Sequence, residues 1–447
     1  MASKSKRARL VQQRDLTKDF MYWAIAVFVI KLIIIGNVQG GAWLGADGEN
    51  YLTGYDALVR DGIFSKESIL NYWPAGYPLF ILFLSLIGKG FVLTTLAVVQ
   101  SAIYSFSAYF FAAQLAKTRL KKFAYFAFFM ILFNPTLSLS SIAVGYESLA
   151  AAGYLLVAGL IIKDFVQKDE KKLLSYVAIS SAIFGFLTFI QPRLIVSGIL
   201  INLLWILIRK PWKSASLLIS VSLIVTLFFP ATLIFRNSKA TGQNSISSNL
   251  GVTMNIGAGD KAKGGYATKD IGVSCLQSGT QSEQDNQLVR CVVDWYLANP
   301  TKAIKLFYNK SLYFWSPWYG PVANGTMARN PWLKINPIRD ITENSPDGSK
   351  LVFGGVGKFI SWAWLFGGVL LVIYGFIVLW RSRALERVIG SVVGIAIVSS
   401  WLITLISIGD HRFRLPIMGM SLFLQAVGIR TLFKGGKPPM VDGPALR

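Results

Sequence analysis

The sequence predicts a mainly α, polytopic membrane protein. It should cross the bilayer about ten times, carry one further re-entrant or interfacial helix, and hold a small polar region outside. Three observations carry that fold class. Hydrophobic residues make up 53% of the 447-residue chain and charged residues only 15%, the balance of a membrane protein. The apolar residues gather into stretches long enough to cross a hydrocarbon core of about 30 Å. The basic residues fall in short clusters between those stretches, and all the clusters can be assigned to one face. A formal charge of +23 would suit nucleic acid, but Lys and Arg distributed in this way set orientation and meet anionic headgroups. The partner implied is membrane lipid, and no nucleic acid is expected.

Taken in order, residues 20–38 form the first apolar stretch, preceded by Lys4, Lys6, Arg7, Arg9 and Arg14. Those charges keep the N-terminal side in the cytoplasm. The stretch is too long for a signal-peptide core and lacks a small-residue cleavage site, so it is expected to remain as an anchor. Residues 90–116 return inward to Lys117, Arg119, Lys121 and Lys122; residues 123–139 lead outward and 148–163 come back to Lys168, Lys171 and Lys172. Residues 173–190 and 194–208 form the next pair, ending at Arg209, Lys210 and Lys213. Residues 214–235 lead out again, and 359–380, 387–408 and 414–432 complete the set. Every basic cluster then lies inside, provided that residues 75–88 do not cross. That segment is short and begins between Pro74 and Pro78, which suits an embedded helix.

Three regions follow: 1–235, membrane with outward loops; 236–350, polar and extracytoplasmic; and 351–447, membrane. The polar region holds both cysteines, Cys275 and Cys291, in a compartment where a bridge can form; sequence leaves the pairing open. Residues 244–265 read as loop, and 287–313 as helix interrupted at Asn299-Pro300.

The outward loops carry most of the chemistry. Asp47-Gly48-Glu49-Asn50-Tyr51 follows the first span and precedes Tyr72-Trp73-Pro74-Ala75-Gly76-Tyr77-Pro78. Carboxylates at a membrane face are costly without a function or an ion. Further along come Tyr146-Glu147, Gln191-Pro192-Arg193, Arg236-Asn237, Ser247-Ser248-Asn249-Leu250-Gly251 and Gly409-Asp410-His411-Arg412-Phe413-Arg414-Leu415-Pro416.

The order of these motifs resembles the C-type glycosyltransferase (GT-C) superfamily, in particular the family 39-like membrane enzymes that include protein mannosyltransferases and aminoarabinose transferases. The resemblance spans most of the chain. It implies a multi-pass plasma-membrane enzyme with its active site on the extracytoplasmic face. Its donor would be a polyprenyl-phosphate-linked sugar, and its acceptor a protein, a lipid or a cell-wall glycan. Better-known members often have adjacent Asp-Glu in the first loop. Here Gly48 separates the acids, which leaves open which of them takes the catalytic role.

On this reading Asp47, Glu49 and Glu147 are the catalytic candidates. An inverting transfer needs a base for the acceptor hydroxyl as it attacks the anomeric carbon, and Asp47 is the favoured base. Asp47 also fits ordinary turn chemistry. Glu49 is a partner acid or a metal ligand; a divalent metal ion stays open as cofactor, although Asp-x-Glu offers few oxygens. Glu147 fits either an acceptor contact or a helix N-terminal acid favoured by the macrodipole. Tyr51, Tyr77, Arg193, Arg236, Arg412 and Arg414 are the substrate-binding candidates. Guanidinium forks match phosphate oxygens, with Arg412 foremost; surface snorkelling is the plain alternative. His411 lies in the same motif and gets no catalytic assignment. No nucleotide-binding glycine fingerprint is present, in keeping with a lipid-linked donor. A transporter or flippase of polyprenyl-linked glycans is the rival reading, and would place charges in mid-span. A channel or structural protein would leave the outer acids and arginines unexplained.

Overall fold

The computed structural model describes residues 16–45, 47–265, 272–316 and 355–433. The N-terminal basic head, Pro317, Trp318, Tyr319, Lys434, Lys437 and the expected boundary at 350/351 lie outside the described residues. The protein is mainly α and polytopic, as predicted. Among the described residues eight helices are long and apolar enough to cross a membrane, or nine if one bent pair counts as a span.

The first helix, α1 (Leu16–Asn37), leads to a two-residue strand, β1 (Trp43–Leu44), and to α2 (Gly48–Asp61). A single turn, α3 (Ile69–Tyr72), precedes α4 (Gly76–Ile87). The α4 helix has 12 residues, about 18 Å at 1.5 Å per residue, too short to span. It buries Tyr77, Ile81 and Leu84 on one face and exposes Phe83, Leu86 and Ile87 on the other. Its start is pressed against the end of a later helix: a Cβ at Gly76 would lie 1.9 Å from the carbonyl oxygen of Phe189. Only glycine fits there.

Then come α5 (Val92–Ala116), α6 (Lys121–Leu132) and α7 (Pro135–Leu139). The expected straight span over 123–139 is instead a pair bent by 57°. Pro135 removes a backbone donor, Asn134 is extended as a residue before proline must be, and its side chain accepts from Leu137 N at 2.9 Å. A 3-10 turn (Ser140–Ile142) runs into β2 (Ala143–Val144). The remaining spans are α8 (Glu147–Gln167), α9 (Glu170–Ile190), α10 (Ile195–Arg209) after a 3-10 turn at Pro192–Leu194, and α11 (Trp212–Thr241). Helix α11 continues beyond the expected 235 and ends at Gly242, whose φ of +75° suits glycine.

Beyond α11, α12 (Leu250–Ile256) forms within the stretch expected to be loop. Asp285 explains it: the carboxylate accepts from Gly251 N at 2.6 Å, satisfying an orphan donor of that helix. Asp285 lies on α13 (Gln281–Ala298), which opens with a capping box, Thr280 and Glu283. Asn299-Pro300 separates α13 from α14 (Pro300–Trp315), as expected. Cys275 and Cys291 form a disulfide. The chain ends with α15 (Gly355–Trp380), α16 (Ala384–Ile406), a 3-10 turn (His411–Arg414) and α17 (Leu415–Phe433).

The core is one large cluster from α1, α5, α8, α9 and α17 with their neighbours, flanked by two small ones, around Leu70 and Leu233 and around Met254 and Val292. Polar side chains join helices where hydrocarbon could not satisfy them: Asn202 donates to Ser181 at 3.0 Å and Ser222 at 3.2 Å, and accepts from Ser180 at 2.6 Å.

Candidate active site

Two short strands bring the first and second acidic loops together. Trp43 pairs with Ala143 and Leu44 with Val144 in parallel, and Gly45 N donates to Val144 O at 3.1 Å. A Cβ at Gly45 would stand 2.3 Å from that oxygen, so the bridge needs glycine there. Just beyond it Asp47 sits at the N-terminus of α2 and Glu147 opens α8. Each carboxylate therefore faces the positive end of a helix.

Arg412, from the 3-10 turn ahead of α17, lies between them. Its Nη2 is 2.9 Å from Asp47 Oδ2, and its Nε is 3.6 Å from Glu147 Oε1. All three side chains are 12–17% exposed. The first contact is a close ion pair and the second a longer one, and among the described residues Arg412 Nε has no hydrogen-bond partner. Thus three sequence-predicted residues, Asp47, Glu147 and Arg412, converge. Glu49 does not join them; its side chain is exposed on α2.

Aromatic groups wall the cluster. Tyr51 is buried with its ring 4.8 Å from that of Tyr77. Burial, reinforced by the Asp47 carboxylate, pushes its phenol well above the usual range. Tyr146 is pushed up to about 12 by burial, against the opposing charge of Arg193. Tyr77 supports the second loop: its hydroxyl donates to Gln100 Oε1 at 3.0 Å and accepts from Gly145 N at 2.8 Å. Gln100 in turn donates to Ala143 O at 2.9 Å.

The other predicted arginines are placed differently. Arg193 donates to the Tyr146 hydroxyl and stacks 3.8 Å above the Phe413 ring, beside the acidic cluster. Arg236 is buried and serves the loop ahead of α3: it donates to Ile63 O at 3.0 Å, Leu70 O at 3.4 Å, Asn71 Oδ1 at 3.1 Å, Asn237 Oδ1 at 2.8 Å and Ser65 O. Arg414 donates to Trp315 O at 2.9 Å and Ser316 O at 3.1 Å, tying α14 to the 3-10 turn. His411 Nδ1 lies 3.0 Å from Asp410 Oδ1, and both side chains are buried.

Two lysines escaped the sequence reading. Lys31, within α1, is buried and donates to Ser141 Oγ at 3.0 Å, with Tyr104 4.5 Å away. It steadies the turn leading to Glu147, and it places an ionisable amine in mid-span where outer-end placement alone was expected. Lys310 of α14 is buried and donates to Tyr296 Oη at 2.7 Å, Leu405 O at 2.9 Å and Ser407 O at 2.5 Å. It thereby caps α16 just before the Gly409-to-Arg414 motif. The signal for Lys31 was a lysine in the middle of an apolar stretch; Lys310, sharing its helix with Lys302 and Lys305, carried no such mark.

Among the described residues no group of three or more His, Cys, Asp or Glu could hold a metal ion. The two convergent carboxylates are already bridged by a guanidinium, so the donor set does not fit a resident divalent ion.

No protein-family model matches the chain, and no curated protein does. Among solved structures it is similar to the oligosaccharyltransferase AglB of the archaeon Archaeoglobus fulgidus, determined with an inhibitory peptide and a dolichol-phosphate. That match has 14% identity and a TM-score of 0.47, and covers 93% of this chain and 51% of that one. Similar too are an oligosaccharyltransferase of that organism tethered to an acceptor peptide and its apo form. Each shows 13% identity, a TM-score of 0.47 and coverage of 92% of this chain. The chain spans about half the length of these structures. A likeness this distant says nothing of activity.

Proposed function

We propose that the protein is a C-type membrane glycosyltransferase that moves a sugar from a polyprenyl-phosphate donor to an extracytoplasmic acceptor by inverting displacement. The observation that carries this reading is the meeting of Asp47, Glu147 and Arg412, supplied by three distant segments, with Tyr51 and Tyr146 around them. In the reaction the acceptor hydroxyl oxygen bonds to the anomeric carbon as the bond to the phosphate oxygen breaks. Asp47 takes the hydroxyl proton, and the departing phosphate keeps the electron pair. Arg412 holds both carboxylates in place, so that Asp47 meets the acceptor already oriented. The acceptor class is a protein, a lipid or a cell-wall glycan.

The test is transfer of radiolabelled sugar from a panel of polyprenyl-phosphate donors to membrane-extract acceptors. Asp47→Asn keeps nearly the same shape and polarity and loses basicity, so transfer should fall about a hundredfold to ten-thousandfold. An Asp47→Asn protein transferring at the wild-type rate would move the base role to Glu147. Passage of intact donor across vesicles without transfer would establish the flippase instead.

A further inference from the structure

Four arginines belong to the outward motifs, and their donors are engaged to very different degrees. Arg236 uses Nε, Nη1 and Nη2 on oxygens of its own loop and helix. Arg414 has both terminal nitrogens on the carbonyls that end α14. Arg412 lies 2.9 Å from the Asp47 carboxylate and 3.6 Å from that of Glu147, so a further anion brought there would compete with acids that already hold the guanidinium. Arg193 is the exception.

The Arg193 guanidinium makes one hydrogen bond among the described residues, from Nη2 to the Tyr146 hydroxyl. Its Cζ lies 3.8 Å from the Phe413 ring centre and 5.5 Å from that of Tyr146. Among the described residues Nε and Nη1 have no acceptor, and the side chain is partly exposed. The two aromatic contacts hold the fork rigid, so little side-chain entropy remains to be lost when an anion binds. Phe413 and Tyr146 are the chain neighbours of Arg412 and Glu147, so the free donors lie beside the acidic cluster. Pro192 fixes the approach, and Arg193 stands in the 3-10 turn ahead of the 15-residue helix α10, whose N-terminal end adds positive potential.

We propose that Arg193 is the anion receptor of this site and takes the phosphate of an isoprenyl phosphate, while Arg412 serves as the internal counter-ion of Asp47 and Glu147. The assignment rests on the glycosyltransferase reading above and goes beyond it, because it reverses the order in which the sequence ranked the arginines. Two adjacent sites of opposite character result. The acidic pair receives a hydroxyl, and the stacked guanidinium receives the group on which negative charge accumulates as the sugar leaves.

The test is direct binding of farnesyl phosphate to purified protein in a neutral detergent, with farnesol as the phosphate-free control and phosphatidylglycerol as competitor. Wild type should bind farnesyl phosphate more tightly than farnesol. Arg193→Gln should lose at least about tenfold in affinity for the phosphate, as expected for a charge-assisted contact, with farnesol binding unchanged. Arg193→Lys keeps the charge without the planar fork and should fall in between. That series stays informative if the glutamine variant folds poorly. Equal affinity for farnesyl phosphate in wild type and Arg193→Gln overturns the assignment and leaves the glycosyltransferase reading standing. Displacement by phosphatidylglycerol at equal potency also overturns it, since the site would then hold ordinary headgroups. No preference of wild type for farnesyl phosphate over farnesol overturns the assignment together with the donor class.

Discussion

Replacing Arg412 tests whether the acidic cluster is held together as its geometry indicates. At an effective dielectric of about 20, a charge pair at 2.9 Å has a gross attraction of about 5.7 kcal/mol, and one at 3.6 Å about 4.6 kcal/mol. Coulomb attraction alone therefore separates the Asp47 and Glu147 contacts only slightly, and desolvation of three largely buried groups offsets most of both. Distance separates them further: the Asp47 contact is a close ion pair and the Glu147 contact lies beyond hydrogen-bonding length. Residues in contact couple by about 0.5–3 kcal/mol, and the closer pair should lie toward the upper end of that range. Two double-mutant cycles, Arg412→Gln with Asp47→Asn and Arg412→Gln with Glu147→Gln, read those couplings from reversible unfolding in detergent. The larger coupling should fall on Asp47. A larger coupling to Glu147, or none to either, would refute the proposed bridge.

Three further outcomes are expected. Burial pushes the Lys310 amine from its ordinary 10.5 down to about 7; between those values the unfolded chain binds a proton that the folded chain does not. Stability should therefore rise with pH across that window, and Lys310→Met should flatten the rise; identical pH profiles would exclude Lys310 as its source. The Cys275–Cys291 bridge joins residues 16 apart and should stabilise the outer region by about 3 kcal/mol in the chain-entropy model. Linked peptides in a non-reduced digest would verify it, and free thiols at both positions would reject it. Cysteine-accessibility labelling should place positions near Lys121, Lys168 and Lys210 inside, and Asp47, Glu147 and Asn249 outside. Outside labelling at Lys121 would mean that α4 crosses.

Hydropathy and charge placement are local properties, and what they determine was legible in the sequence. The apolar spans, the short helix α4 and the break at Asn299-Pro300 follow from stretches of neighbouring residues. So do the candidate residues, because a carboxylate or guanidinium at a span end stands out against an apolar background. Their arrangement did not follow. Asp47 and Arg412 lie near opposite ends of the chain, and only the β1–β2 bridge and the packing of α2, α8 and α17 bring them within 2.9 Å. The same packing turned Arg236 and Arg414 toward backbone carbonyls and left Arg193 with open donors. It also buried Lys31 against Ser141 and bent α6 away from α7. Which of several similar side chains is free to act depends on which acceptors surround it, and those acceptors come from segments that meet only once the helices have packed.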